Sequence, residues 1–254
     1  MKSNKARALY PAGSLPNPKR AALLWLTVAV TLAAIILWQL LLNEISYYVT
    51  AAAMLLLAML PLFVRFEKKK TSARELALLA TLIALATVSR AVFYLVPQVK
   101  PVAAVVIASA VCLGAEKGYI IGAFTAFISN FLFGQGPWTP FQMFALGMVG
   151  LLAGWIYSHW EPHKRDGKMT LPQLLALSAT GFVLAFAVYG LFVDISTVLM
   201  TYGTHITWQG ILSVYAAGVP FSLIFGLSTA LFLFFFGDAF IRKLNRVLMK
   251  TEKN

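Results

Sequence analysis

The chain has 254 residues and a formal net charge of +12, yet only 12% of its residues are charged and 60% are hydrophobic. A soluble domain carries about twice that charged fraction, and the mean hydropathy of +0.79 argues against a soluble protein whose basic surface grips nucleic acid. The single cysteine, Cys112, excludes an internal disulfide and a cysteine metal framework.

Residues 1–20 are polar, basic and proline-containing. A secretory signal would start its apolar core sooner and end on small residues, so this stretch reads as a cytoplasmic segment. Two apolar blocks follow, Ala21–Leu42 and Ile45–Val64, neither interrupted by a basic residue. Each reaches the roughly 20 residues that a helix needs to cross about 30 Å of hydrocarbon. They form an expected transmembrane hairpin at 21–64, with few polar groups at mid-depth. A basic linker at 65–72 separates it from six further blocks. These are about Ala73–Val96, Pro101–Ala115 (short for a full crossing), Gly118–Phe133, Pro140–Ser158, Leu171–Val193 and Gly210–Phe236. A basic tail closes the chain at 241–254.

Charge placement sets the expected orientation. With the N-terminus in the cytoplasm and eight alternating spans, 19 of the 21 lysines and arginines fall on the cytoplasmic side. Only Arg90 and Lys100 fall near the outer side. Short cytoplasmic loops favour lysine and arginine, so both termini are expected in the cytoplasm and the protein in the cell membrane, in contact with lipid. The expected fold is an all-α polytopic membrane protein, a two-helix transmembrane hairpin followed by a six-helix core at 73–240.

Small residues recur at helical spacing. Ala73, Ala77, Ala80 and Ala84 lie on one face of the third span. Gly114, Gly118 and Gly122 form overlapping GxxxG spacings, and Gly150 and Gly154 form another. Such residues let helix backbones approach closely in lipid. Internal packing explains any one pair, and the alanine stripe is the candidate for an external docking face.

The outer loop Phe133-Gly134-Gln135-Gly136-Pro137-Trp138-Thr139-Pro140 combines two glycines, two prolines and one large aromatic ring. Gln135 and Gln142 supply donors and acceptors around it, a chemistry suited to a neutral or weakly charged organic ligand. A plain interfacial turn is the competing reading, because tryptophan is enriched at membrane surfaces. Asn130, just before the loop, either faces a pocket or bonds another helix. Arg90 sits in the outer half of a span, where an arginine must snorkel, pair or line a watery cavity. Asp194 is a candidate partner for it. Lys100 lies in a second proline-rich loop, and Tyr202, His205 and Trp208 precede the last span.

Several motifs are missing from the sequence. It has no phosphate-binding GxxxxGK[ST], no HExxH and no GxSxG. It therefore shows no ATPase site of its own, no catalytic pair, no metal ligand set and no call for a cofactor.

Residues 73–240 resemble the substrate-binding (S) component of energy-coupling factor transporters. The resemblance rests on six spans, on the alanines of the first of them, on Pro97–Pro101, and above all on Phe127-Ile128-Ser129-Asn130-Phe131-Leu132-Phe133-Gly134-Gln135-Gly136-Pro137-Trp138-Thr139-Pro140-Phe141-Gln142-Met143. That run is similar to a group of S components associated with cobalamin-type or unassigned vitamins. The resemblance implies capture of a vitamin-like small molecule in an outward pocket. It also implies delivery through a separate transmembrane coupling subunit and two ATPase subunits, with the S component toppling in the membrane. The expected pocket comprises Arg90, Lys100, Asn130, Gln135, Trp138 and Gln142, with Asp194 and Trp208 as further candidates. Ala73, Ala77, Ala80 and Ala84 would be the docking face. The hairpin at 21–64 departs from the family's six-span pattern. A self-sufficient secondary transporter or channel is the alternative, and it would need a polar path through mid-bilayer. The spans show little of one.

Overall fold

The computed structural model describes residues 72–158, 168–203 and 205–251. The expected hairpin at 21–64 and nearly all of the basic linker lie outside the described residues. Those described are mostly helical, with no strand among them.

Helix α1 spans Ala73–Val92, and its N-terminus is capped by Ser72, whose Oγ accepts from the Glu75 amide at 3.2 Å. It ends four residues before the expected Val96, and a non-helical turn carries the chain to Pro101. Helix α2 spans Val102–Leu113. Twelve residues rise only about 18 Å, too short for lipid. The fold solves this by burying α2 almost completely among its neighbours, so its ends meet protein rather than hydrocarbon. Helix α3 spans Ala115–Phe133 and α4 spans Thr139–Ile156.

The last two rods are longer than expected. Helix α5 runs Leu171–Tyr202, with a π-helical turn at Leu184–Tyr189. Tyr202, expected in a loop, is its last residue. Helix α6 spans Trp208–Phe232 and passes through a second π-turn, Leu233–Gly237, into α7, Asp238–Thr251. Trp208 therefore opens a helix instead of closing a loop, because Thr207 caps it by accepting from the Gly210 amide at 3.1 Å. The described part of the basic tail is thus helical. It turns Ile241, Leu244 and Leu248 into the core and leaves Lys243 and Arg246 exposed.

Among the described residues four rods are long and apolar enough to cross a membrane: Ala73–Val92, Thr139–Ile156, Leu171–Tyr202 and Trp208–Met249. The protein is a multi-pass α-helical membrane protein. Its tightest seam joins α3 to α4, and the glycines explain it. A Cβ on Gly118 would stand 2.5 Å from the carbonyl oxygen of Gly150, and one on Gly122 would stand 2.1 Å from that of Leu146. Gly154 meets the backbone of Ala115 in the same way. These GxxxG spacings are internal contacts. The alanines of α1 take the opposite place: Ala73, Ala77, Ala80 and Ala84 are all exposed. Their row continues into Leu85 and Val88, also exposed.

Glu75 and Lys117 pair at 3.0 Å and fix the starts of α1 and α3 at one end of the bundle. The C-terminal end of α1 and the loops 94–101 and 134–138 gather at the other.

Candidate ligand cavity

At this second end a cavity of about 410 Å³ opens between two walls. One wall comes from α1, the 94–101 loop, α2, α3 and α4, and the other from α5 and α6. The volume is in the range of small-molecule sites, about 300–1,000 Å³.

Arg90 dominates the first wall. Its Nη1 donates to Ser129 Oγ and, at 2.9 Å, to Asn130 Oδ1. The guanidinium carbon lies 4.3 Å from the centre of the Phe133 ring, and Lys100 Nζ lies 5.0 Å from the same centre. Two cations thus share one aromatic ring, a favourable contact for each. Burial, and then the Arg90 charge, push the Lys100 ammonium below its ordinary pKa. Arg90 ends as a fixed, neutral-partnered cation. The expected Arg90–Asp194 ion pair does not form, because the two residues occupy opposite walls. Neither has a salt-bridge partner among the described residues.

Asn130 is 1% exposed and organises this wall. Besides accepting from Arg90, its Nδ2 donates to Thr139 Oγ1 at 3.1 Å and to Gln142 Oε1 at 2.8 Å. Of the two readings open to it, bonding to other helices describes its contacts, and its effect on the cavity passes through Arg90 and Gln142.

The glycine–proline loop braces the same wall. Gln135 Nε2 donates to the Phe127 carbonyl at 3.0 Å, and Gln135 Oε1 accepts from Thr139 Oγ1 at 2.9 Å. The Trp138 ring folds back over Gly136, where a Cβ would fall 2.4 Å from it. Gln135, Trp138 and Trp208 do not line the cavity, and Trp208 is 70% exposed. Arg90, Lys100, Gln142 and Asp194 do line it.

Asp194 lies well inside α5 rather than at its end. Its carboxylate packs on Gly218 of α6, where a Cβ would stand 2.6 Å from either oxygen. Thr197, Tyr189 and Ser222 add polar atoms, and Phe221 and Phe225 supply apolar wall. Tyr189 closes the π-turn of α5, and Pro220 stands within α6 beside the cavity. Sequence reasoning missed Gln98, which lines the cavity with φ of 59°, the one positive φ outside glycine among the described residues. Such a conformation is costly for a side-chain-bearing residue and is often found at functional sites. The proline-rich stretch around it was the available signal.

A family model described as ECF-type riboflavin transporter, S component, matches residues 70–239. This covers two thirds of the chain, including every residue of the cavity. The chain belongs to the ECF transporter S components. Searches of curated proteins and of solved structures found no match. Membership makes the protein a membrane substrate-binding subunit of an ECF transporter, a class of importer component rather than of enzyme.

Proposed function

We propose that this S component captures a flavin-type vitamin in the cavity between Arg90 and Asp194 and releases it to the cytoplasm through a separate coupling subunit driven by two ATPases. The observation that carries the reading is the coincidence of the family match with the cavity: the matched model is of the riboflavin type and spans every wall residue. The size supports it too. A cavity of about 410 Å³ suits a ligand of a few fused rings. A corrinoid is several times larger, which favours the flavin over the cobalamin-type vitamin suggested by the loop sequence.

The cavity lies at the end away from Arg74 and Lys117, which the positive-inside rule assigns to the cytoplasm. It therefore faces outward, with both termini inside. The exposed alanines of α1 serve as the docking face, since small side chains allow a partner helix close approach. Residues 73–240 act as the substrate-binding unit.

The test is direct. The purified chain, titrated with riboflavin, quenches flavin fluorescence with saturable 1:1 binding. Ala80→Trp with Ala84→Trp keeps that binding but no longer copurifies with a co-expressed coupling subunit. Absence of any flavin binding would sink the ligand assignment, and undisturbed copurification would sink the docking face.

A further inference from the structure

The cavity holds two cations with no anion beside them among the described residues. Arg90 is bonded through Nη1 only, and both acceptors, Ser129 and Asn130, are neutral. Its other N–H donors find no protein acceptor among the described residues. Among the described residues Lys100 has no carboxylate within ion-pair distance, yet it is held against the same ring as Arg90. Like charges placed together in a partly desolvated site repel each other and are costly unless a counter-charge is supplied. The C-terminal end of α1, in whose last turn Arg90 lies, offers only partial negative charge. Asp194 is the one carboxylate in the lining, and it sits on the opposite wall against Gly218. The lining as a whole keeps an excess of positive charge.

We infer that the cavity takes a ligand with an anionic group, a phosphate or a carboxylate, seated between Arg90 and Lys100. The planar guanidinium then gives its unused donors to two oxygens of the anion, and the ammonium gives a third bond. Gln98 and Gln142, on the same wall, reach neighbouring carbonyl or hydroxyl groups. Asp194 accepts from ligand hydroxyls or N–H groups at the far side, which fixes the ligand's polarity along the cavity. Resting on the flavin reading above, this makes the phosphorylated flavin a better ligand than the neutral one. It also departs from the neutral ligand that the uncharged loop around Trp138 suggested, because that loop braces the cavity without lining it.

The experiment compares flavin mononucleotide with riboflavin on the purified full chain, by fluorescence quenching at fixed ionic strength. Flavin mononucleotide should bind about tenfold or more tightly, the size of one good charge-assisted contact. Arg90→Gln and Lys100→Gln should each pull the ratio of the two affinities toward one, whereas Arg90→Lys, which keeps the charge but loses the two-oxygen grip, should keep only part of it. Gel filtration and thermal unfolding of each variant separate loss of fold from loss of the anion contact. Riboflavin binding as tightly as its phosphate overturns the inference and leaves the flavin reading standing. A phosphate preference that survives both glutamine variants overturns the assignment to Arg90 and Lys100. If neither flavin binds, biotin, pantothenate and pyridoxal phosphate are titrated in the same way. Binding of one of them that depends on Arg90 and Lys100 upholds the anion site and removes the flavin. Binding of none overturns both.

Discussion

Asn130 exchanges hydrogen bonds with Arg90 of α1 and with Thr139 and Gln142 of α4, while itself standing on α3. A buried amide with so many partners is hard to replace. Asn130→Ala strands polar groups at a cost of about 1–3 kcal/mol, and it releases Arg90 from its fixed position. Thermal unfolding should therefore shift downward and ligand affinity should fall together. A variant with unchanged unfolding and unchanged affinity would contradict this role. Gln98 predicts the reverse relation. Gln98→Gly removes the side-chain cost of a positive φ but also a polar group of the cavity, so stability should hold or rise while affinity drops in the same binding titration. Arg90 and Asn130 were legible in the sequence because a charge or an amide within an apolar run must have a purpose. Gln98, Tyr189 and Ser222 were not. Their placement depends on a backbone turn, a π-turn and the approach of α6, none of which leaves a local pattern. Trp138 misled for a related reason: a large ring in a stiff loop is conspicuous, but here it packs on its own Gly136.

At the level of elements, identical spacings took opposite roles. The glycines of α3 and α4 meet backbone to backbone, and the alanines of α1 face outward. Spacing alone says that something can come close, and only the third dimension says what. A Cβ at Gly122 would need α3 and α4 to separate, since it would stand 2.1 Å from a carbonyl oxygen that cannot rotate away. Gly122→Ala should thus destabilise the protein by about 1–3 kcal/mol or more, as overpacking does, read as a lower unfolding temperature in detergent. Alanine-to-serine exchange at Ala77 changes an exposed face and should leave that temperature where it was. Among the described residues, helix existence was read correctly from the apolar blocks, whereas the rods of α5 and α6 outran them. Their polar ends, from Asp194 to Tyr202 and at Trp208, remain helical because the cavity and the Thr207 cap accommodate them.

For the whole molecule, the cavity matters because it lies between walls contributed by different parts of the chain. A ligand touching both the Arg90 wall and the Asp194 wall ties α5 and α6 to the rest of the bundle. Saturation at 100 times Kd should raise global stability by about 2.7 kcal/mol. The rise should be visible as a ligand-dependent increase in unfolding temperature, and its absence with a bound flavin would mean binding elsewhere. The long apolar blocks made the multi-pass helical architecture legible at this scale. The cavity was not, since it depends on how six helices are arranged around a space.

The π-turn at Leu184–Tyr189 sets the phase of everything after it in α5. A π-turn amounts to one residue more than an α-helix would use, and one residue is about 100° of rotation. Deleting Ala187 would restore a regular helix and swing Asp194 and Thr197 away from the space they now face, without altering either side chain. The acidic side of the cavity is therefore encoded by chain length as much as by residue type. Two members of this family could share every polar residue and still recognise different molecules if one lacked that single extra position.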